Sequence, residues 1–180
     1  IVVVGKDTPI AAGRIELERV CYSVAGRAAF IKSVTMSLAP GESILIAGPS
    51  GCGKSTLARL LLGVLRPHSG TVRLDGTDVA HFDRTALGQC VGYVPQDVHL
   101  FTGTIADNIA RLGAVDSARV VQAARLAHAH EMIVRLPDGY HTEISAGGAG
   151  LAASQRRRIA LARALYVNPR LLVLDEPGAD

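Results

Sequence analysis

The spacing of apolar positions changes period several times along this chain. Residues 15–24 and 30–38 mix β-branched and apolar positions with polar ones, which predicts two strands. A turn at Pro40-Gly41-Glu42 leads into Ser43 to Ala47, a short apolar run of the kind that suits a buried central strand. From Lys54 to Leu65 the period is helical, and Pro67 and Gly70 close the segment. Thr71 to Leu74 reads as a strand running into the turn signal Asp75-Gly76, and Cys90 to Val94 as another strand. Between Asp97 and about Leu136 the pattern is helical again, with capped segments at Thr104–Leu112 and Asp116–Ala129. Pro137-Asp138-Gly139 is a turn and Gly147–Gly150 a loop. Ser154–Tyr166 is a helix stopped at Asn168-Pro169, and Leu171–Leu174 is a last buried strand running into Asp175-Glu176. Residues 1–13, a valine run followed by Gly, Pro and small residues, read as an incoming linker.

Buried strands feeding helices predict an α/β fold built on a largely parallel sheet, interrupted by an all-helical insertion, with sites at the strand C-termini. The 180 residues suffice for one domain with a real core. They are 48% hydrophobic but only 4% aromatic, with no Trp, so the interior is aliphatic. A net charge of +3 is too mild to imply a nucleic-acid partner. Cys21, Cys52 and Cys90 form no C-x-x-C pair, and the six histidines show no ligand spacing; His128 and His130 read as surface residues. The best apolar run, Leu57–Leu65, is broken by Arg59 and Gly63, so the chain itself offers no spanning helix.

Two stretches carry chemistry. "GPSGCGKST" spans Gly48, Pro49, Ser50, Gly51, Cys52, Gly53, Lys54, Ser55 and Thr56, and matches G-x-x-x-x-G-K-[ST] between an apolar strand and a helix. Such a loop turns backbone N–H groups inward around phosphate oxygens at a helix N-terminus, Lys54 reaches the β- and γ-phosphates, and Ser55 ligates Mg²⁺. "LLVLDEP", Leu171 to Pro177, ends a buried strand in two acids. Asp175 is placed to hold Mg²⁺, and Glu176, one step further, to polarise an attacking water.

In this order, "GPSGCGKST", "GYVPQD", "QRRRIALARALYVNPR" and "LLVLDEP" resemble the nucleotide-binding domain of an ABC transporter, from about Gly13 to Pro177. "PQDVHLFTGTIADNIARLG" resembles its exporter class. "LARLLLGVLRPHSGTVRLDG" and "LPDGYHTEISAGGAGL" are most similar to the ATPases of type I protein secretion. The resemblance implies a P-loop NTPase core with an antiparallel β subdomain and an inserted α-helical subdomain. It divides the chain into a linker from a membrane domain (1–13), the nucleotide-binding core (14–96 and 156–180) and a helical subdomain carrying the signature region (97–155). It implies ATP and Mg²⁺ as cofactors, and Gln96 as the residue that senses the metal and the attacking water. It also implies a head-to-tail dimer with an identical or different second domain, and transmembrane domains in the same polypeptide. The location implied is the cytoplasmic face of the inner membrane. His99, Phe101 and Arg111 fall in the stretch that faces a membrane-domain coupling helix in that family.

The chain departs from the pattern in several places. The signature, usually written LSGGQ, here reads Leu151-Ala152-Ala153-Ser154-Gln155, without its serine hydroxyl or its two glycines. An acid expected near Ala146 is missing. The adenine-stacking aromatic falls near Val24, and Tyr22, two residues earlier, is the nearest substitute for that contact. The chain ends at Asp180, before the family's D-loop aspartate and switch histidine, so the expectation is a C-terminally truncated domain with weak activity alone. Two alternatives accompany the transport ATPase: a nucleotide-binding subunit whose degenerate signature supports a partner with little hydrolysis at one site, and a non-transport ABC ATPase.

Overall fold

A computed structural model describes residues 2–5, 13–23 and 30–175. They fall into two compact units, one comprising the described residues up to 91 together with 170–175, the other residues 92–169.

The first unit contains two sheets. In one, β1 (Val2–Gly5) lies between β4 (Ser43–Leu45) and β10 (Leu171–Leu174). It is antiparallel to both, so β4 and β10 run in the same direction. β4 and β10 share that direction without pairing with each other, and both pairings made by β1 are antiparallel where the sequence predicts a largely parallel sheet. The strand between them comes from the segment read as a linker, where three successive valines carry the β-propensity to fill a central position.

The second sheet is antiparallel, in the order β3 (Ile31–Leu38), β2 (Ile15–Tyr22), β5 (Ser69–Leu74), β6 (Thr77–Asp78). Along β2 the buried positions are Ile15 and Leu17 and then, out of phase, Val20. A bulge explains the change. Arg19 takes a left-handed φ of 45°, and the register against both neighbours shifts between residues 17 and 21. One extra residue moves every later side chain to the other face, which returns Val20 to the core. Gly70 faces this bulge so closely that an added Cβ would overlap the carbonyl oxygens of Glu18 and Arg19.

Helix α1 (Lys54–Leu61) buries Leu57, Ala58, Leu60 and Leu61. It ends earlier than the expected Leu65 because Gly63, at φ 65°, turns the chain and its N–H bonds to Leu60 O. The sequence pattern predicts no element for residues 77–89. There Asp83 Oδ1 accepts from Thr85 N (2.9 Å) and Ala86 N (3.1 Å) and starts α2 (Arg84–Cys90). Strand β7 (Val91–Val94) follows at the boundary of the units.

The second unit packs α3 (Ile105–Ile109), α4 (Ser117–Leu126), α5 (His130–Ile133) and α6 (Ala153–Leu165) around Ile105, Ile109, Val120, Ile133, Ile144 and Ile159. It is not wholly helical as expected, since β8 (Gly103–Thr104) pairs with β9 (Glu143–Ile144). Fully buried Asn108 pins the approach to β8. Its amide donates to Phe101 O (2.8 Å) and Thr104 O (3.0 Å), and its Oδ1 accepts from Phe101 N (2.8 Å). His128 is exposed, as expected, but His130 is half-buried with Nδ1 2.9 Å from the Tyr140 hydroxyl.

Candidate nucleotide site

The phosphate loop runs from Gly48 into α1. Gly51 and Gly53 have φ of 76° and 101°, conformations that side chains rarely adopt, so glycine suits both turns of the loop. Gly53 is the N-cap and has no side chain to cap the helix, and the first turn carries no acid. The N–H groups at the start of α1 therefore stand at the positive end of the helix dipole. The loop is also closely surrounded: a Cβ at Gly53 would lie 2.8 Å from Ile31 Cδ1, and one at Gly48 would lie 2.8 Å from Cys52 Sγ, side-chain ends that would have to move aside. Lys54 folds over the loop, its Nζ donating to Gly48 O (2.8 Å) and Pro49 O (3.0 Å). That places the ammonium within the curve of the loop.

The sheet register fixes where Asp175 stands. Val2 is paired with Leu45 on one side and with Leu174 on the other, so β4 and β10 end level with each other. At about 4.8 Å per strand spacing, their ends lie roughly 10 Å apart. The chain leaves β4 toward Gly48 and leaves β10 directly into Asp175. Asp175 is only 3% exposed, and its Oδ1 has no hydrogen-bond partner among the described residues. A buried carboxylate oxygen without a donor is costly, and a cation offsets that cost. Asp175 and Ser55, two oxygen donors flanking a phosphate loop, fit a hard divalent ion such as Mg²⁺.

Tyr22 ends β2, its ring 5.8 Å from Phe30 and 5.3 Å from His68. Val24 and Glu176 lie outside the described residues. Gln96 belongs to the second unit, where it lines an open cleft of about 330 Å³ with Asp97, His99, Ala153 and Arg156.

The junction Leu151–Gln155 forms the start of α6. Leu151 packs on the helical core, while Ala152, Ala153 and Ser154 are exposed. Ala152 is the N-cap, and its N–H donates to Gln155 Oε1 (2.8 Å). Arg156 Nη1 donates to Leu151 O (2.6 Å), which holds the turn before the helix. Gly148, at φ 80°, leaves room for this arginine, because a Cβ there would lie 2.6 Å from Arg156 Cδ. The helix start and its dipole persist without the hydroxyl and glycines of the usual signature.

His99, Phe101 and Arg111 are organised by a residue the sequence reading missed. The Arg163 guanidinium lies 5.2 Å from the Phe101 ring centroid, and its two Nη atoms donate to His99 O, each at 3.2 Å. Arg111 Nε donates to Arg163 O (3.2 Å). Burial pushes both guanidinium pKa values down, and the Arg111 charge lowers that of Arg163 further. Phe101 remains 51% exposed. Arg163 lies within an alanine-rich helix, 62 positions from Phe101, and only the fold brings the two together.

Comparison with known proteins agrees with this geometry. A family profile described as ABC transporter matches residues 31–179. The type I secretion system ATP-binding protein PrsD of Rhizobium meliloti (strain 1021) is 49% identical over 151 residues, which are 83% of this chain and 26% of that protein. The cyclolysin secretion/processing ATP-binding protein CyaB of Bordetella pertussis is 44% identical over 171 residues, 93% of this chain and 24% of that one. A bacterial Atm1-family ABC exporter, solved with ATP bound, superposes with a TM-score of 0.80 at 34% identity, covering 94% of this chain and 31% of its own. The chain thus spans about a quarter of the length of these secretion proteins. Phosphate loop, level strand ends and profile converge on one assignment: this chain belongs to the ABC transporter family, as its nucleotide-binding domain.

Proposed function

We propose that the chain binds and hydrolyses Mg²⁺-ATP to power an ABC exporter of the type I secretion kind. The observation that carries this reading is the register placing buried Asp175 level with the end of the strand that feeds the phosphate loop. Lys54 and the amides of the loop hold the phosphates, Ser55 and Asp175 hold the metal, and Gln96 and Glu176 act on the attacking water. Bound Mg²⁺ supplies charge neutralisation on the phosphate oxygens. Two such domains pair head to tail, each phosphate loop facing the other's residues 151–155. The partners are transmembrane domains of the same polypeptide, and the domain works at the cytoplasmic face of the membrane.

The altered junction favours a second, narrower reading. Ala152 brings no hydroxyl to the partner's γ-phosphate, and Ala153 and Ser154 add side chains where backbone must approach closely. Beside a partner with an intact signature this chain makes one competent and one impaired site; beside an identical chain it makes two impaired ones. Replacing Glu176 by Gln in the full-length exporter tests the catalytic assignment. Most turnover should disappear while ATP remains bound, and turnover close to wild type would show that Glu176 is not the general base.

A further inference from the structure

Three arginines follow one another near the start of α6, and the fold sends them in different directions. Arg158 Nη1 donates to His128 O (3.4 Å), and Arg157 lines the cleft beside Gln96. Arg156 turns back over the loop that precedes the helix. Its stem crosses Gly148, where an added Cβ would lie 2.6 Å from Cδ and 3.2 Å from Cγ, and its Nη1 ends on Leu151 O (2.6 Å). The same peptide unit is gripped from its other side, since Ala152 N donates to Gln155 Oε1 (2.8 Å). Two consecutive side chains of the first turn of α6 thus fix the plane of the Leu151–Ala152 peptide. Upstream the backbone is permissive: Gly147, Gly148 and Gly150 have φ of 76°, 80° and 92°, and glycine leaves a chain free to move between such values and others.

We propose that Arg156 is a positioning residue for hydrolysis on the partner domain: it aims the start of α6 at the partner's γ-phosphate. This deepens the head-to-tail reading above and rests on it. Position 152 carries no hydroxyl in this chain, so what the junction offers an incoming phosphate is the set of backbone N–H groups that open α6. A backbone donor is aimed by fixing the peptides around it, and a misplacement of about 1 Å can cost roughly a hundredfold in rate. The Leu151–Ala152 peptide leads directly into those donors, so the two side-chain bonds on it set their direction. Gln155 belongs to the five residues of the junction itself. Arg156 stands just outside them and supplies the bond whose donor is charged, the stronger kind of the two.

The test uses the full-length exporter, with phosphate release measured against Mg²⁺-ATP concentration and Mg²⁺-ADP binding measured by calorimetry. ADP has no γ-phosphate to meet the junction. Arg156→Met keeps a stem over Gly148 and removes the donor. It should lower kcat at least about fivefold, a modest part of the loss that misplacement can cause, while the Kd for ADP stays at the wild-type value. Arg156→Ala should do the same, and Arg156→Lys, which restores a charged donor, should recover turnover relative to both. Arg158→Ala removes an equal charge from the same helix and should leave kcat unchanged. The assignment is overturned if Arg156→Met turns over like the wild type, if Arg158→Ala loses as much, if lysine recovers nothing, or if ADP affinity falls in step with kcat. A wild-type exporter that binds ADP but releases no phosphate from ATP would instead overturn the hydrolysis reading, and the positioning role with it.

Discussion

Replacing Ala152 by Ser should stabilise the protein before any nucleotide is added. Ala152 caps α6 at φ −64° and ψ 156°. Thr104 caps α3 in nearly the same conformation, φ −75° and ψ 165°. There the capping box is complete: Thr104 Oγ1 accepts from Asp107 N (3.0 Å), and Thr104 N donates to Asp107 Oδ2 (2.9 Å). At α6 half of the box exists, because Gln155 Oε1 accepts from Ala152 N, but the methyl of Ala152 offers nothing to Gln155 N. A serine hydroxyl supplies that acceptor at an exposed position with no repacking. Alanine-to-serine exchange at an N-cap is worth about 1 kcal/mol, and for a protein of this size that raises Tm by about 2–4 °C. Urea unfolding should show the midpoint rising at constant m. Ala152→Val adds bulk without an acceptor and should show no gain. An unchanged midpoint for Ala152→Ser, or an equal gain for Ala152→Val, refutes the missing half of the box.

Completing the signature acts on two quantities in opposite directions. Ala152→Ser, Ala153→Gly and Ser154→Gly together should raise phosphate release of the full-length homodimer at least about tenfold, while each glycine costs up to about 0.5–1 kcal/mol of stability in the unfolding midpoint. Unchanged turnover in a properly dimeric variant would mean that Ala-Ala-Ser is a working signature. At α3, the Thr104 hydroxyl and then its backbone N–H hold the pKa of Asp107 below its ordinary value. Such a group stabilises the fold fully above its unfolded pKa and loses that effect as pH falls through the folded one. The stability difference between wild type and Asp107→Ala should therefore shrink as unfolding is measured below the ordinary carboxylate range.

The parts of the site that local rules dictate were legible in the sequence. The glycines at 51 and 53 and the strand–loop–helix context predict the phosphate loop, and the aliphatic run before Asp175 predicts its burial. What depends on distant pairing was not legible. Nothing local says that Val2–Gly5 enter a sheet, that Arg163 stacks on Phe101, or that Gly103-Thr104 find Glu143-Ile144. Helix α2 was missed for a different reason: Asp83 is a standard cap, but the seven residues after it include a glycine and make one short, weakly periodic helix. The β2 bulge shows the same limit. A change of phase after Leu17 reads as irregular alternation until Arg19 is seen at φ 45° with Gly70 packed against it.

Cys52 reports on the central claim most directly, because it lies inside the phosphate loop, exposed, with its sulfur 4.0 Å from Lys54 Nζ. Its reaction with a maleimide can be followed by mass spectrometry of the peptide that carries it, with Cys21 and Cys90 as internal references. Saturating Mg²⁺-ATP should slow modification of Cys52 and leave the other two unchanged, and Lys54→Ala should abolish the protection by weakening nucleotide binding. Equal rates at Cys52 with and without ATP, in folded protein, would contradict the placement of the phosphates in this loop.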